Sequence, residues 1–434
     1  MKEIISYIIQ FLIGTDPKGE FSRLVGYTND SNLFARYRVV IIPSSFFKDE
    51  IYGTPRSLPN LPLKDIENVP LLFGSSKTEW HGSTWVVHAD IIASTYFLIT
   101  RYEEIIKREL RDQHGRFPGK ESLAYKAGFI HRPIVDEYGK LLRKWLRQAQ
   151  VKGIEEPTPQ IRKVWLTHDV DAPFYCRTLR NVVRETFKGA GLVQALKWYL
   201  GILEKDPYYT FPTLFKQDRE LRQQIGKDRC ETICFFKAGG KTKQDKPVYN
   251  LQSKDMRMLF SLCKKEQVTI GLHSSYSAGQ TPSLILSEKN MLEKASGVSL
   301  LYNRHHFLSS REPEDLEMLE RAGITDDFTM GYADIAGFRL GTSRPVHWIN
   351  PTNKHISSLL LHPLTIMDCT LDESHYMGLS YKEAQTYCLG LLKKTHQTGG
   401  ELVLLWHNSS FCKMITKDFH TKLYLYLLNK LKER

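Results

Sequence analysis

Two rhythms of apolar and polar positions divide this 434-residue chain. In the first third the elements are mixed. Ile4/Ile5, Ile8/Ile9 and Leu12 recur at helical spacing, which predicts an amphipathic helix at the start of the chain. Short apolar runs over 38–42, 69–73 and 84–87 predict strands. Residues 89–107 read as a helix with Ile92, Tyr96 and Ile99 on one side. Residues 135–150 read as another, with Tyr138, Leu141, Leu142, Trp145 and Leu146 as its apolar stripe. Between these helices 112–118 is a polar, turn-rich loop. Residues 152–160 are polar, proline-bearing and unpatterned, so the expected division is 1–155, a smaller α/β domain, and 156–434.

Beyond that boundary short strands alternate with amphipathic helices. The strands are expected over 164–170, 232–236, 268–272, 300–303, 338–340, 358–361 and 402–406. The helices are expected over 178–203, 215–225, 254–266, 282–294, 313–322, 381–395 and 417–431. Such alternation predicts a parallel sheet, open or closed into a barrel. In a barrel, functional groups collect at the C-terminal ends of the strands.

Length also argues for two domains, because one core stops growing well short of 434 residues. A hydrophobic content of 41% with 25% charged residues is that of a soluble globular protein. The net charge of +12 favours anionic partners, acidic glycans among them. No zinc-finger spacing, basic region with heptads or aromatic RNA-binding signature is present, so nucleic acid is not an expected partner. The seven cysteines lack framework spacing and read as reduced thiols. At the N-terminus Lys2 stands beside Glu3, Gln10 interrupts the apolar run, and no small-x-small site follows. With no run long enough to span a bilayer, the expectation is a cytoplasmic protein without a transmembrane segment.

The candidate chemistry centres on Lys163-Val-Trp-Leu-Thr-His-Asp-Val-Asp171. Side chains alternate along a strand, so Thr167, Asp169 and Asp171 share one face. Two carboxylates on one face repel unless a proton or a cation sits between them. Other expected strand ends carry His273 in Gly271-Leu-His-Ser-Ser-Tyr-Ser277, and Arg304, His305 and His306 in Asn303-Arg-His-His-Phe-Leu308. Further along come Arg339 in Gly337-Phe-Arg-Leu-Gly341, Asp368, and the pair Trp406 and His407. Each alone reads as a satisfied loop residue or a structural ion pair; together, at one rim, they point to a site. Asp and His donors suit a divalent cation such as zinc, manganese, cobalt or nickel. A second Asp can serve as general base, an opposite His as general acid, and an Arg can keep the base charged. The reaction class this supports is metal-assisted hydrolysis of an amide or ester.

These motifs resemble those of the polysaccharide deacetylase family, metal-dependent hydrolases that remove N- or O-acetyl groups from saccharides. The resemblance spans nearly all of 160–434 and implies a deformed (β/α) barrel. Thr167-His-Asp-Val-Asp171 resembles the family's first motif, which implies Asp169 as base and Asp171 as metal ligand. His273 matches the first His of the family's second motif. Gly337-Phe-Arg339 with Pro345 resembles the motif whose arginine orients the base, and His407 matches the late His that acts as general acid. Ser277 stands where that second motif has its other His. The third ligand is then His306, His305 or His168, or is absent; His306 joins Asp171 and His273 in the expected set. Trp406, Asp368 and Arg304 are expected to serve the substrate, with Asp368 and Arg304 also candidates to support the inner site residues or to form plain structural ion pairs. The N-terminal region resembles the uncharacterised domain that precedes some bacterial members, through Arg101-Tyr-Glu-Glu104, His114-Gly-Arg-Phe-Pro118 and Arg132-Pro-Ile-Val-Asp136. The expected function is a zinc-type carbohydrate deacetylase acting on a saccharide precursor. The alternative is a deacetylase fold that has lost catalysis and binds saccharide.

Overall fold

The computed structural model describes every residue except Pro17, Thr178, Ile202, residues 413–417 and Arg434. The expected helices over 178–203 and 417–431 therefore start on residues outside the description. The chain forms two compact units, each discontinuous in sequence. The first comprises Met1–Arg162, Met330–Pro363 and Leu391–Glu401; the second comprises Lys163–Thr329, Leu364–Gly390 and Leu402–Arg434. Two segments that lie past the expected boundary in sequence thus belong to the first unit.

The first unit holds strands β1 (Val25–Tyr27), β2 (Val39–Ile41), β3 (Lys64–Ile66), β4 (Val69–Leu71), β5 (Gly74–His81) and β6 (Thr84–Ala89). Their main sheet has the order β1-β2-β6-β5, parallel except for β5, while β3 and β4 form an antiparallel pair. Helix Lys2–Ile13 buries Ile4, Ile8, Ile9 and Leu12, as its spacing requires. The long helix expected over 89–107 is instead two, Ile91–Ile99 and Tyr102–Ile106. Arg101 lies between them at φ 51, and a left-handed residue cannot carry the hydrogen-bond ladder through.

The remaining strands are β7 (Lys163–Val170), β8 (Cys230–Phe236), β9 (Thr269–Ser274), β10 (Tyr302–His305), β11 (Asp326–Met330), β12 (Val346–Asn350), β13 (His355–Met367) and β14 (Glu401–Leu405). Their order is β11-β10-β9-β8-β7-β14-β13-β12, and β11 also pairs with β13. That extra pairing closes seven strands into a parallel barrel, the α/β architecture the alternation predicts. Strand β12 lies outside the closed ring, antiparallel to β13. Trp165, Phe235 and Phe328 come from three strands, with ring centroids 5.2 and 5.7 Å from Phe328 to the other two. Such pairs contribute about 0.5–1.5 kcal/mol each beyond their buried area.

One strand assignment is corrected. Residues 338–340 are a turn, flanked by Gly337 at φ 153 and Gly341 at φ 65. A Cβ on Gly337 would meet the Ile130 carbonyl oxygen at 2.5 Å, so the close approach itself requires glycine. The fifth barrel strand is β11, which opens on two aspartates and so gave no apolar signal. Asp327 is buried there because Asn303 Nδ2 and Thr329 Oγ1 each donate to its Oδ1 at 2.8 Å. Among the described residues no helix is long and apolar enough to cross a membrane.

Candidate metal centre

Strand β7 is buried along its length after Lys163, and its end delivers two carboxylates to one rim. Asp169 is the last inward acid of the strand, and Asp171 follows it with a side chain 37% exposed. Parallel pairing brings the ends of neighbouring strands to the same level. His273 on β9 places Nε2 3.2 Å from Asp171 Oδ1 and 3.6 Å from Asp169 Oδ2. His306, just past β10, places Nε2 3.3 Å from the same Asp171 oxygen. One atom from each of Asp171, His273 and His306 lies within 4.8 Å of the others.

The donor set tests well against a divalent cation. Asp171 Oδ1 and His273 Nε2 are buried atoms without a hydrogen-bond partner, and an orphaned acceptor so placed costs free energy unless something binds it. His273 Nδ1 is turned to the Arg304 carbonyl at 2.9 Å, which leaves Nε2 for the centre. Burial alone would raise the Asp171 carboxyl; the imidazoles of His306, His273 and His407 outweigh it and hold Asp171 well below the usual carboxylate range. Phe307 and Leu308 take left-handed φ of 61 and 53 immediately after His306. Bulky residues in that region cost on the order of 1–3 kcal/mol each, strain that here accompanies the placing of the imidazole.

Of the three alternatives for the third ligand, only His306 reaches the cluster. His168 points to the other side of β7, as alternation requires, with Nδ1 2.8 Å from the Trp406 carbonyl and Nε2 2.9 Å from Asp218. His305 is fully buried, with Nδ1 3.1 Å from Asn303 and Nε2 3.7 Å from Asp315. Ser277 has a different role. Its hydroxyl donates to Asp245 Oδ2 at 2.7 Å, joined there by the Thr242 hydroxyl at 2.7 Å. The other Asp245 oxygen accepts the Tyr276 N–H at 2.7 Å and lies 3.5 Å from His306 Nδ1. Asp245 therefore backs the imidazole that replaces the expected one. Burial would raise the Asp245 carboxyl, but His306 and the hydroxyls of Ser277 and Thr242 bring it far below its ordinary value.

Two supporting pairs flank the cluster. Arg304, fully buried, donates Nη1 to Asp169 Oδ1 at 3.0 Å and to Thr167 Oγ1 at 2.8 Å. His407 Nδ1 sits 2.8 Å from Asp368 Oδ1, and its backbone N–H donates to Asp368 Oδ2 at 2.8 Å. Its Nε2 is 3.7 Å from Asp171 Oδ2. Burial favours the neutral ring of His407, but the Asp368 carboxylate prevails and lifts it to about 10.

Two expected roles change, those of Arg339 and Trp406. Arg339 is expected to orient Asp169, yet it forks onto Glu104 within the first unit, with Nε–Oε1 2.9 Å and Nη2–Oε2 2.6 Å. The guanidinium on Asp169 is Arg304's. Arg304 and Asp368 are fully buried and hold Asp169 and His407, the supporting position expected of them as an alternative to serving the substrate. Trp406 is fully buried too, its Nε1–H donated to the His420 carbonyl at 3.2 Å, so it packs beneath the rim. The N-terminal motifs have a counterpart in this rearrangement. Glu104 holds Arg339, and Asp136 accepts from Thr342 Oγ1, Ser343 Oγ and Arg344 Nε at 2.7–2.9 Å.

Asp245, Lys237 and Tyr249 are the neighbours that sequence reasoning missed. Lys237 Nζ donates to the Asp245 carbonyl at 2.9 Å, and Tyr249 OH to the Val170 carbonyl at 2.9 Å. All three follow β8, an expected strand at whose C-terminal end no candidate is named; the rim rule applied there leads to them.

Comparison with known proteins adds little to this geometry. A family of unknown function (DUF7033) is matched over residues 3–151. No curated protein matches the chain. Among solved structures, a Mycobacterium smegmatis protein described as a "putative polysaccharide deacetylase" aligns with a TM-score of 0.40 at 13% identity, over 64% of this chain and 87% of that one.

Proposed function

We propose that this chain is a divalent-metal-dependent hydrolase that removes N- or O-linked acetyl groups from a saccharide. The observation that carries the reading is the convergence of Asp171, His273 and His306, with an orphaned carboxylate oxygen facing an orphaned imidazole nitrogen. One carboxylate and two imidazoles suit zinc, with cobalt, nickel and manganese as alternatives. A divalent cation held there polarises a carbonyl oxygen and acidifies water.

The chain's own groups supply the proton transfers. Asp169 keeps Oδ1 on Arg304, so Oδ2 is the atom that takes the proton of the attacking water. His407 is held cationic by Asp368 and is oriented through Nδ1, so Nε2 gives its proton to the departing nitrogen or oxygen. The saccharide part of the reading rests on the motif resemblance. The net charge of +12 supports an anionic one through long-range attraction.

The test is metal analysis of the purified chain, followed by acetate release from acetylated saccharides by wild type, Asp169→Asn and His273→Ala. Stoichiometric metal and acetate release lost in both variants are expected. No bound metal with no release would sink the reading. Metal-independent saccharide binding without turnover would mark the fold as a binding module.

A further inference from the structure

We propose that the helical hairpin over 179–201 docks this protein onto an anionic lipid bilayer, an inference that does not depend on the hydrolase reading. The segment follows the end of β7 and comprises helices Leu179–Glu185 and Leu192–Leu200, joined across Thr186–Ala190. Its inner side is already used: Val182 and Ala195 are buried with Cys176, and Tyr175, Leu196, Trp198 and Tyr199 pack against them. The outer side is apolar as well. Leu179, Val183, Phe187, Leu192, Val193 and Leu200 are 54–87% exposed, Phe187 most of all. Large apolar side chains so exposed and so close in sequence are unusual on a soluble surface and mark an interaction site.

The charge pattern selects the occupant. Leu179, Val183 and Phe187 recur every four residues, and Arg180, Arg184 and Lys188 recur beside them at the same interval. On a helical path this places an apolar stripe next to a basic one. Residues 177–201 hold five Lys or Arg and a single acid, Glu185, which is buried and bonded to Arg184 and Tyr175. Arg180, Arg184, Lys188 and Lys197 are exposed. A second copy meeting this face about a two-fold axis that crosses the stripes would bring basic stripe against basic stripe. Anionic headgroups complement the basic stripe while the acyl boundary accepts Phe187 and its neighbours, which is how interfacial helices bind.

Full-length protein would be sedimented with vesicles of phosphatidylcholine alone and of phosphatidylcholine with phosphatidylglycerol. Binding only to the anionic vesicles, weakened by salt, is expected. Phe187→Ser with Leu200→Ser should lower the affinity more than about tenfold, from the apolar burial lost. Arg180→Gln with Lys188→Gln and Lys197→Gln should lower it about 100-fold, at about fivefold per charge. Equal binding to neutral vesicles, no binding to either, or variants that bind like wild type would overturn the proposal. So would a wild-type dimer in velocity sedimentation that the Phe187→Ser/Leu200→Ser variant dissociates, since a second copy would then cover the face.

Discussion

His306 Nε2 lies 3.3 Å from Asp171 Oδ1, the same oxygen that His273 approaches from the neighbouring strand. If both imidazoles are ligands, His306→Ala and His273→Ala should weaken zinc binding alike. The expected loss is more than about 100-fold, beyond the cost of removing an outer partner. Competition with a chromophoric chelator measures it, and an unchanged affinity in His306→Ala would remove His306 from the centre.

Asp245 acts through His306, so Asp245→Asn should cost about 10–100-fold in zinc affinity while the chain stays folded. Ser277→Ala, which removes one of the donors to Asp245, should cost less. A Ser277 variant as damaging as His306→Ala would point to direct ligation by the hydroxyl.

Removing the guanidinium of Arg304 leaves Asp169 as an uncompensated buried charge. Arg304→Met should therefore lower unfolding stability by about 3–5 kcal/mol in urea titrations. Adding Asp169→Asn should recover much of that loss, because the stranded charge goes with it. Purely additive effects of the two substitutions would contradict the pairing.

Arg339 gives the contrasting case. Its fork onto Glu104 is also buried, so Arg339→Met should lower stability by a similar ~3–5 kcal/mol. Zinc affinity should be unchanged. Acetate release lost at full stability and full metal content would return Arg339 to the role its motif implies.

Asp368 orients and charges His407 without reaching the cluster. Asp368→Asn should reduce kcat about 10²–10⁴-fold, the usual worth of a positioned proton donor, and leave KM within a small factor. Unaltered turnover would mean that another group protonates the leaving atom.

What the sequence by itself determined is whatever depends on periodicity along one segment. Alternation of apolar strands with amphipathic helices specified a parallel α/β sheet, because both periods follow from backbone geometry; its closure into a barrel depends on the β11–β13 pairing. Period two in β7 placed Asp169 and Asp171 together and turned His168 away, and the structure keeps that division. Only the tertiary structure decided which loops meet. The second imidazole beside Asp171 is that of His306, where the chain turns sharply at Phe307 and Leu308, while Ser277, at the expected position, holds Asp245 from a loop after β8. Arg304 and Arg339 each stand in or at the end of an expected strand, and nothing local says that the one meets Asp169 and the other Glu104. Strand β11 carries no apolar signal at its start because it opens on two aspartates; the buried one, Asp327, is satisfied by Thr329 within the strand and by Asn303, a partner that only the fold supplies. Periodicity is a property of consecutive residues; the pairing of a buried charge is a property of what surrounds it once the chain has closed.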